Sequence, residues 1–185
     1  FYGAENPQGK LYLASFWDTS NVTSMVMMFD SVHSRFRLSL DLRRWDTSKV
    51  TNMARLFAGN RYLHLRGIEH WDISNVVNMS GMFEDSHITG NFQHWDTSKV
   101  KDMSRMFSGN RVLLNGGSPI SGLEYFNTEN VTDMSYMFFG ADHVDINISG
   151  WNTSNVKDMS YMFALTKKFN SDIGGWDTSK VTNMR

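Results

Sequence analysis

A seven-residue string, W-D-T-S-N-V-T, begins at Trp17 and returns in close copy at Trp45, Trp71, Trp95, Phe126 (as F-N-T-E-N-V-T), Trp151 and Trp176. The intervals are 28, 26, 24, 31, 25 and 25 residues. The unit is therefore about 25 residues long and contains one stretch of variable length. A unit this short cannot bury an apolar edge alone, but stacked copies bury it against one another. Residues 1–185 are accordingly read as one repeat array.

Fixed columns follow from the register. All six tryptophans (Trp17, Trp45, Trp71, Trp95, Trp151, Trp176) hold the first position. The fifth residue after it is always Val: Val22, Val50, Val76, Val100, Val131, Val156 and Val181. The eighth is always Met: Met25, Met53, Met79, Met103, Met134, Met159 and Met184. The eleventh is Met28, Leu56, Met82, Met106, Met137 and Met162, and the twelfth is Phe29, Phe57, Phe83, Phe107, Phe138 and Phe163. Of the 13 methionines only Met27 stands outside these columns. Like residues at one period read as a continuous core, for which thioethers and ring edges are well suited. The other reading of so much Met is a promiscuous binding groove, which would not need Val and Phe at fixed offsets.

Within each unit, Leu38-Ser39-Leu40-Asp41-Leu42 alternates as a strand does. Apolar residues recur seven and three places before the Trp, as at Leu38 and Leu42, Ile88 and Phe92, Val144 and Ile148, Phe169 and Ile173. D-T-S predicts an Asx turn, the Asp side chain accepting from a backbone N–H two residues on. V-T-x-M suggests a second short strand. Ser24, Asn52, Asn78, Asp102, Asp133, Asp158 and Asn183 then suit a helix N-cap, and M-x-x-M-F a short helical turn. Gly59, Gly109 and Gly140 fall where a left-handed C-cap would sit.

The chain opens Phe1-Tyr2-Gly3-Ala4, matching Phe138-Phe139-Gly140-Ala141, and closes inside the motif at Met184-Arg185. Both ends are expected to lie mid-repeat in a longer array, so missing leader or anchor segments carry no information on location. Composition narrows the function classes. With 18 basic and 19 acidic residues, the chain lacks the basic excess of a general nucleic-acid-binding surface. No cysteine is present, which removes disulfides, thiol nucleophiles and thiolate metal sites. No apolar run reaches the length of a membrane span.

The motif, with the preceding strand Phe169-Asn170-Ser171-Asp172-Ile173, resembles the BspA-like leucine-rich-repeat surface proteins over essentially the whole chain. That resemblance implies a leucine-rich-repeat-like solenoid: short parallel β-strands plus one short helical turn per coil, right-handed, about seven coils. It implies an extracellular or cell-surface protein acting in adhesion, aggregation and host or matrix binding, with no catalytic residues to carry over. The chain departs from the pattern at Phe126-Asn127-Thr128-Glu129 and in the long stretch from Ser108 to Tyr125.

Candidate chemistry is sparse. Asp18, Asp46, Asp72, Asp96 and Asp177 form a column that reads as turn caps or as calcium ligands between coils. Asn127 and Asn152 replace Asp there without other change, which fits capping, and no metal or other cofactor is expected. His33, His64, His70, His87, His94 and His143 have no ligand spacing. His70 and His94 share the position before the Trp with Arg44 and Tyr125, a row that reads as a solvated rim or as a site for an anionic or glycan ligand. Residues 31–66 carry eight Lys/Arg against Asp41 and Asp46, which reads as solvated surface or as attraction for acidic partners. Ser and Asp recur in every unit, so no copy stands out as an activated nucleophile, and no phosphate-binding glycine loop is present. Sequons stand at Asn21, Asn78, Asn130, Asn147 and Asn152 and are compatible with a glycoprotein.

The expected function is therefore non-enzymatic binding through an extended face, with proteins, glycans or matrix as partners. Variable loops at 31–37 and 108–122 would contribute to recognition. The alternative is the shaft of an extracellular fibre or sheath, with copies of the chain as partners. Ice binding is a weaker third reading, because the turn supplies only one Thr per unit.

Overall fold

The computed structural model describes residues 14–32, 38–61, 63–110, 120–141 and 146–185. The opening residues matched to Phe138–Ala141, the residues His33, Arg35, Arg37, His143 and Val144, the side chain of Leu38, and most of both variable loops lie outside them.

Successive repeats pair in parallel at the seventh position after the Trp. Ser24 bridges to Asn52, Asn52 to Asn78, Asn78 to Asp102, Asp102 to Asp133, Asp133 to Asp158, and Asp158 to Asn183. At the first bridge the Thr51 N–H donates to the Thr23 carbonyl and the Met25 N–H to the Asn52 carbonyl, both at 2.9 Å. At the last, Thr182 donates to Lys157 (2.8 Å) and Met159 to Asn183 (2.9 Å). Ahead of the Trp, β1 (Leu38–Asp41) pairs in parallel with β2 (Leu63–Arg66), Asp41 opposite Arg66. β3 (Gly90–Asn91) pairs likewise with β4 (Ile120–Ser121). Single 3-10 turns at 14–16, Ile68–His70 and Leu123–Tyr125 then lead into Trp17, Trp71 and Phe126.

Like residues lie on like. Trp45 and Trp71 stack with centroids 5.8 Å apart and planes 1° from parallel. Phe29, Phe57, Phe83, Phe107, Phe138 and Phe163 form a second file at 5.7–6.0 Å. Met53, Met79, Met103, Met106 and Met137 are fully buried, Met162 nearly so, and the Val column from Val50 to Val156 is equally inaccessible. Towards the last described repeat the same columns open up: Phe163, Trp176 and Val181 are partly buried and Met184 is 60% exposed.

The M-x-x-M-F segment is not the helical turn its i, i+3 methionines suggest, and the described residues contain no α-helix. Residues ten positions after the Trp adopt left-handed backbone angles, as Met27, Arg55, Arg105, Tyr136 and Tyr161 do with φ of 54–56°. Alternate N–H groups consequently leave the turn. Met28 donates to Met25 and Asp30 to Met27 within it, whereas Met27, Phe29 and Ser31 donate to Ala54, Leu56 and Ala58 of the next repeat. A helix would keep all these donors internal. Inter-repeat bonding wins because it pairs them while the Met and Phe side chains are buried. Gly59, Gly109 and Gly140 are left-handed without capping any helix; Ser31, Asp85 and Leu165 take the same conformation at equivalent positions.

Two buried polar ladders run with the apolar files. From Trp45 onward each Trp indole N–H reaches a carbonyl three residues before the Trp or Phe that leads the preceding repeat: Trp45 to Ala14 (2.9 Å), Trp95 to Ile68 (2.9 Å), Trp151 to Leu123 (2.9 Å). Each buried Thr of the D-T-S turn donates to the next repeat, Thr47 to the Asp72 carbonyl (2.8 Å) and Thr153 to that of Asp177 (2.9 Å). The Thr column thus faces inward, not outward as an ice-binding ladder would.

Candidate functional site

The position immediately before the Trp varies widely among the repeats, with five residue types in seven copies. The chain turns sharply there because the following indole must enter the core, so the preceding side chain is thrown outward. Arg44, His70, His94 and Tyr125 are all exposed, Tyr125 at 63%. Phe16 holds the same place one repeat earlier and is 67% exposed, with the Arg44 guanidinium 6.0 Å from its ring centre. The His94 ring lies 3.1 Å from the Gln93 amide, and His70 approaches Glu69 at 3.8 Å. The four residues occupy equivalent places in the repeat, each exposed to solvent.

A concavity adjoins the row at Arg44. A cleft of about 640 Å³ is lined by Ser15 and Phe16 of the 3-10 turn at 14–16, Ser39 and Asp41 of β1, Arg43 and Arg44 after it, and Arg66 of β2. Asp41 is committed within it. Its Oδ1 accepts from the Arg43 backbone N–H (3.2 Å) and its carboxylate is forked by the Arg43 guanidinium, which holds the carboxyl at about 2. Gly67 allows this arrangement to be covered, since at φ 92° it abuts Arg43 and a Cβ there would lie 2.4 Å from Arg43 Cγ. Sequence reasoning placed Arg44 in the row and counted Arg43 and Arg66 in the basic stretch 31–66, but it missed Phe16 and the meeting of these residues, which depends on pairing between repeats.

The Asp column caps turns. Asp46 Oδ1 accepts from the Ser48 N–H (2.9 Å) and hydroxyl (2.6 Å), and Asp18, Asp72, Asp96 and Asp177 repeat the backbone bond at 2.9–3.0 Å. Asn127 and Asn152 do the same at 3.0 and 3.1 Å. Side-chain and backbone bonds from Ser48 hold the Asp46 carboxyl below its ordinary value, and Ser98 does the same for Asp96. Among the described residues no group of three or more His, Cys, Asp or Glu is placed to hold a metal ion.

The sequons fall on differing ground. Asn21, Asn130, Asn147 and Asn152 are exposed, whereas Asn78 is half-buried at a bridge position, its Oδ1 accepting from Ser80. Asn130 Nδ2 already donates to the Ser98 carbonyl (2.8 Å). This bond belongs to a surface ladder that the sequence reading overlooked. At the fourth position after the Trp, Lys49 donates to Asn21 (2.8 Å), Asn75 to the Ser48 carbonyl (2.8 Å), Lys99 to Asn75 (2.6 Å) and Lys180 to Asn155 (2.7 Å). Its signal was the restriction of that position to Asn or Lys in every copy. A second charged chain runs outward from the fully buried Asp30 through Arg55 and Glu84 to Arg105, whose guanidinium lies 4.2 Å from the centre of the Tyr136 ring; Tyr161 stacks beyond at 4.8 Å. The basic residues at 31–66 are thereby partly consumed: Arg43, Arg55 and Arg61 each face a carboxylate.

A family model described as "Mycoplasma protein of unknown function, DUF285" matches residues 1–61, 32–116 and 117–185. The chain belongs to this family. Each match spans two or three copies of the Trp-led unit, so family membership rests on the same register that builds the edge row. No curated protein and no solved structure matches the chain. No helix among the described residues is long and apolar enough to cross a membrane.

Proposed function

We propose that this chain is a leucine-rich-repeat-like, right-handed solenoid of about seven coils that acts as a non-enzymatic adhesion or binding protein at a cell surface or outside the cell. Its partners are proteins, glycans or matrix, engaged along the edge that carries Arg44, His70, His94 and Tyr125. The observation supporting this reading is a contrast in one register: the Trp position is nearly uniform and, from Trp45 to Trp151, buried, while its neighbour is exposed and holds Phe, Arg, His, His, Tyr and two Gly. Packing accounts for the uniform column and places no demand on the varied one. Non-enzymatic action is supported by the commitment of the recurrent Asp and Ser residues to turn capping. Similarity to BspA-like repeats supplies the surface location.

The test is a printed array of matrix proteins and glycans probed with the purified chain. Replacing Arg44, His70, His94 and Tyr125 together by Ala should abolish the signal and leave the melting temperature nearly unchanged, since all four side chains are exposed. Equal signal from the variant removes the edge from consideration. A second reading, the shaft of a fibre, has its own support in the unbroken Asn/Lys ladder, which asks only for stacking. Continuous filaments of the native material in electron micrographs, with no array signal, would favour it.

A further inference from the structure

We infer that the arginine cleft beside Phe16 takes a carboxylate-bearing sugar, the acidic residue of a glycan; this rests on the binding reading above and names its ligand. The cleft brings three guanidiniums together with one carboxylate. That carboxylate, Asp41, is occupied by Arg43 through both oxygens. Among the described residues Arg44 and Arg66 make no salt bridge, and Arg66 feels Asp41 only through space, so three guanidiniums face one carboxylate in the cleft of a chain whose net charge is -1. A planar guanidinium fork matches a carboxylate in two parallel hydrogen bonds, which favours a single bound carboxylate over diffuse attraction.

The remaining lining selects the body that carries this carboxylate. Phe16 leaves two thirds of its surface in solvent, where a large apolar ring gains nothing unless something covers it. The electron-rich face of an aromatic ring suits the C–H face of a pyranose. Ser15 and Ser39 add hydroxyls that both donate and accept, matching the hydroxyls of a sugar. The volume of about 640 Å³ falls within the range of small-ligand sites and accommodates one or two sugar units. A nucleic acid is less well served, because its regular phosphates need cations that continue along the surface. The same edge continues instead through His70, His94, Tyr125, Gly150 and Gly175. Those residues can receive the neutral remainder of a glycan whose acidic unit sits between Arg44 and Arg66.

Calorimetric titration of the full chain with a glucuronate-terminated oligosaccharide and its glucose-terminated counterpart tests the inference. The acidic sugar should bind about tenfold more tightly, one well-formed charged pair accounting for that ratio. Arg66→Ala should erase the difference with unchanged melting, and Arg66→Lys should not restore it, because an ammonium lacks the fork. Phe16→Ala should weaken both sugars equally. Equal binding of the two sugars, or an unchanged ratio in Arg66→Ala, overturns the inference. Tighter binding of oligodeoxythymidylate or of an Asp/Glu peptide also overturns it, assigning the cleft to another class of ligand. If neither sugar binds while the array signal still depends on the edge residues, the sugar inference fails and the binding reading stands. If the array is silent as well, both fail.

Discussion

The inner and outer sides of a single turn obey different rules in this chain. At the Trp position six of seven copies are identical and the described interior copies are 3–5% exposed. One residue earlier, seven copies hold five residue types and stand in solvent. The inner side is constrained because each ring must match the shape of the ring in the next repeat, and mismatched files leave voids that cost dispersion contacts. The outer side has no such neighbour. The lesson is that variation in a repeat is informative only once the register shows which positions packing leaves free.

The largest way to break that contrast is to put an outer-type residue inside. Met106→Asp buries an unpaired carboxylate in a fully inaccessible column and should cost several kcal/mol. Loss or marked lowering of the thermal transition is expected, and unchanged melting would contradict a buried Met file. A gentler change probes the polar ladder. Thr153→Val keeps the shape but leaves the Asp177 carbonyl without its hydroxyl donor, for a loss of about 1–2 kcal/mol read as a shift of the urea midpoint. Ile73, which fills the same position without a hydroxyl, is the natural control: a null result in Thr153→Val would mean that shape alone suffices there.

The smallest effect lies on the outer side and depends on pH. The Asp46, Asp96 and Asp177 carboxyls are held below their ordinary value by bonds from Ser48, Ser98 and Ser179. A depressed folded-state pKa contributes stability above the unfolded value and loses it as pH falls through the folded one. Stability should therefore decline from about pH 4 downwards. The triple Asn variant keeps the cap, as Asn127 and Asn152 do, and should flatten that decline while changing little at pH 7. An unaltered acid limb would show that the caps titrate as they do in the unfolded chain.

Much of this arrangement was readable in the residues. The D-T-S turn declared itself because an Asx bond is closed within three residues and needs no partner elsewhere. The Trp, Val, Met and Phe columns declared themselves by identity at one period. The M-x-x-M-F turn misled, since methionines at i and i+3 fit a helix and fit equally two non-helical turns. What decides between them is whether Met27 and Phe29 find acceptors in Ala54 and Leu56, groups more than 25 residues away. The cleft was hidden for the same reason. Phe16, Ser39 and Arg66 belong to three different repeats, and no spacing rule joins them.

By itself, the order of residues determined the period, the inward columns and the local turn caps, all of which depend on interactions a single repeat makes or on residues recurring at equal intervals. Only the tertiary structure decided the backbone of the Met turns, the inward aim of the Thr hydroxyls, the Asn/Lys surface ladder and the gathering of arginines beside Phe16. Those depend on where a neighbouring repeat presents its carbonyls and side chains, a matter of registration between repeats of unequal length that no single repeat encodes.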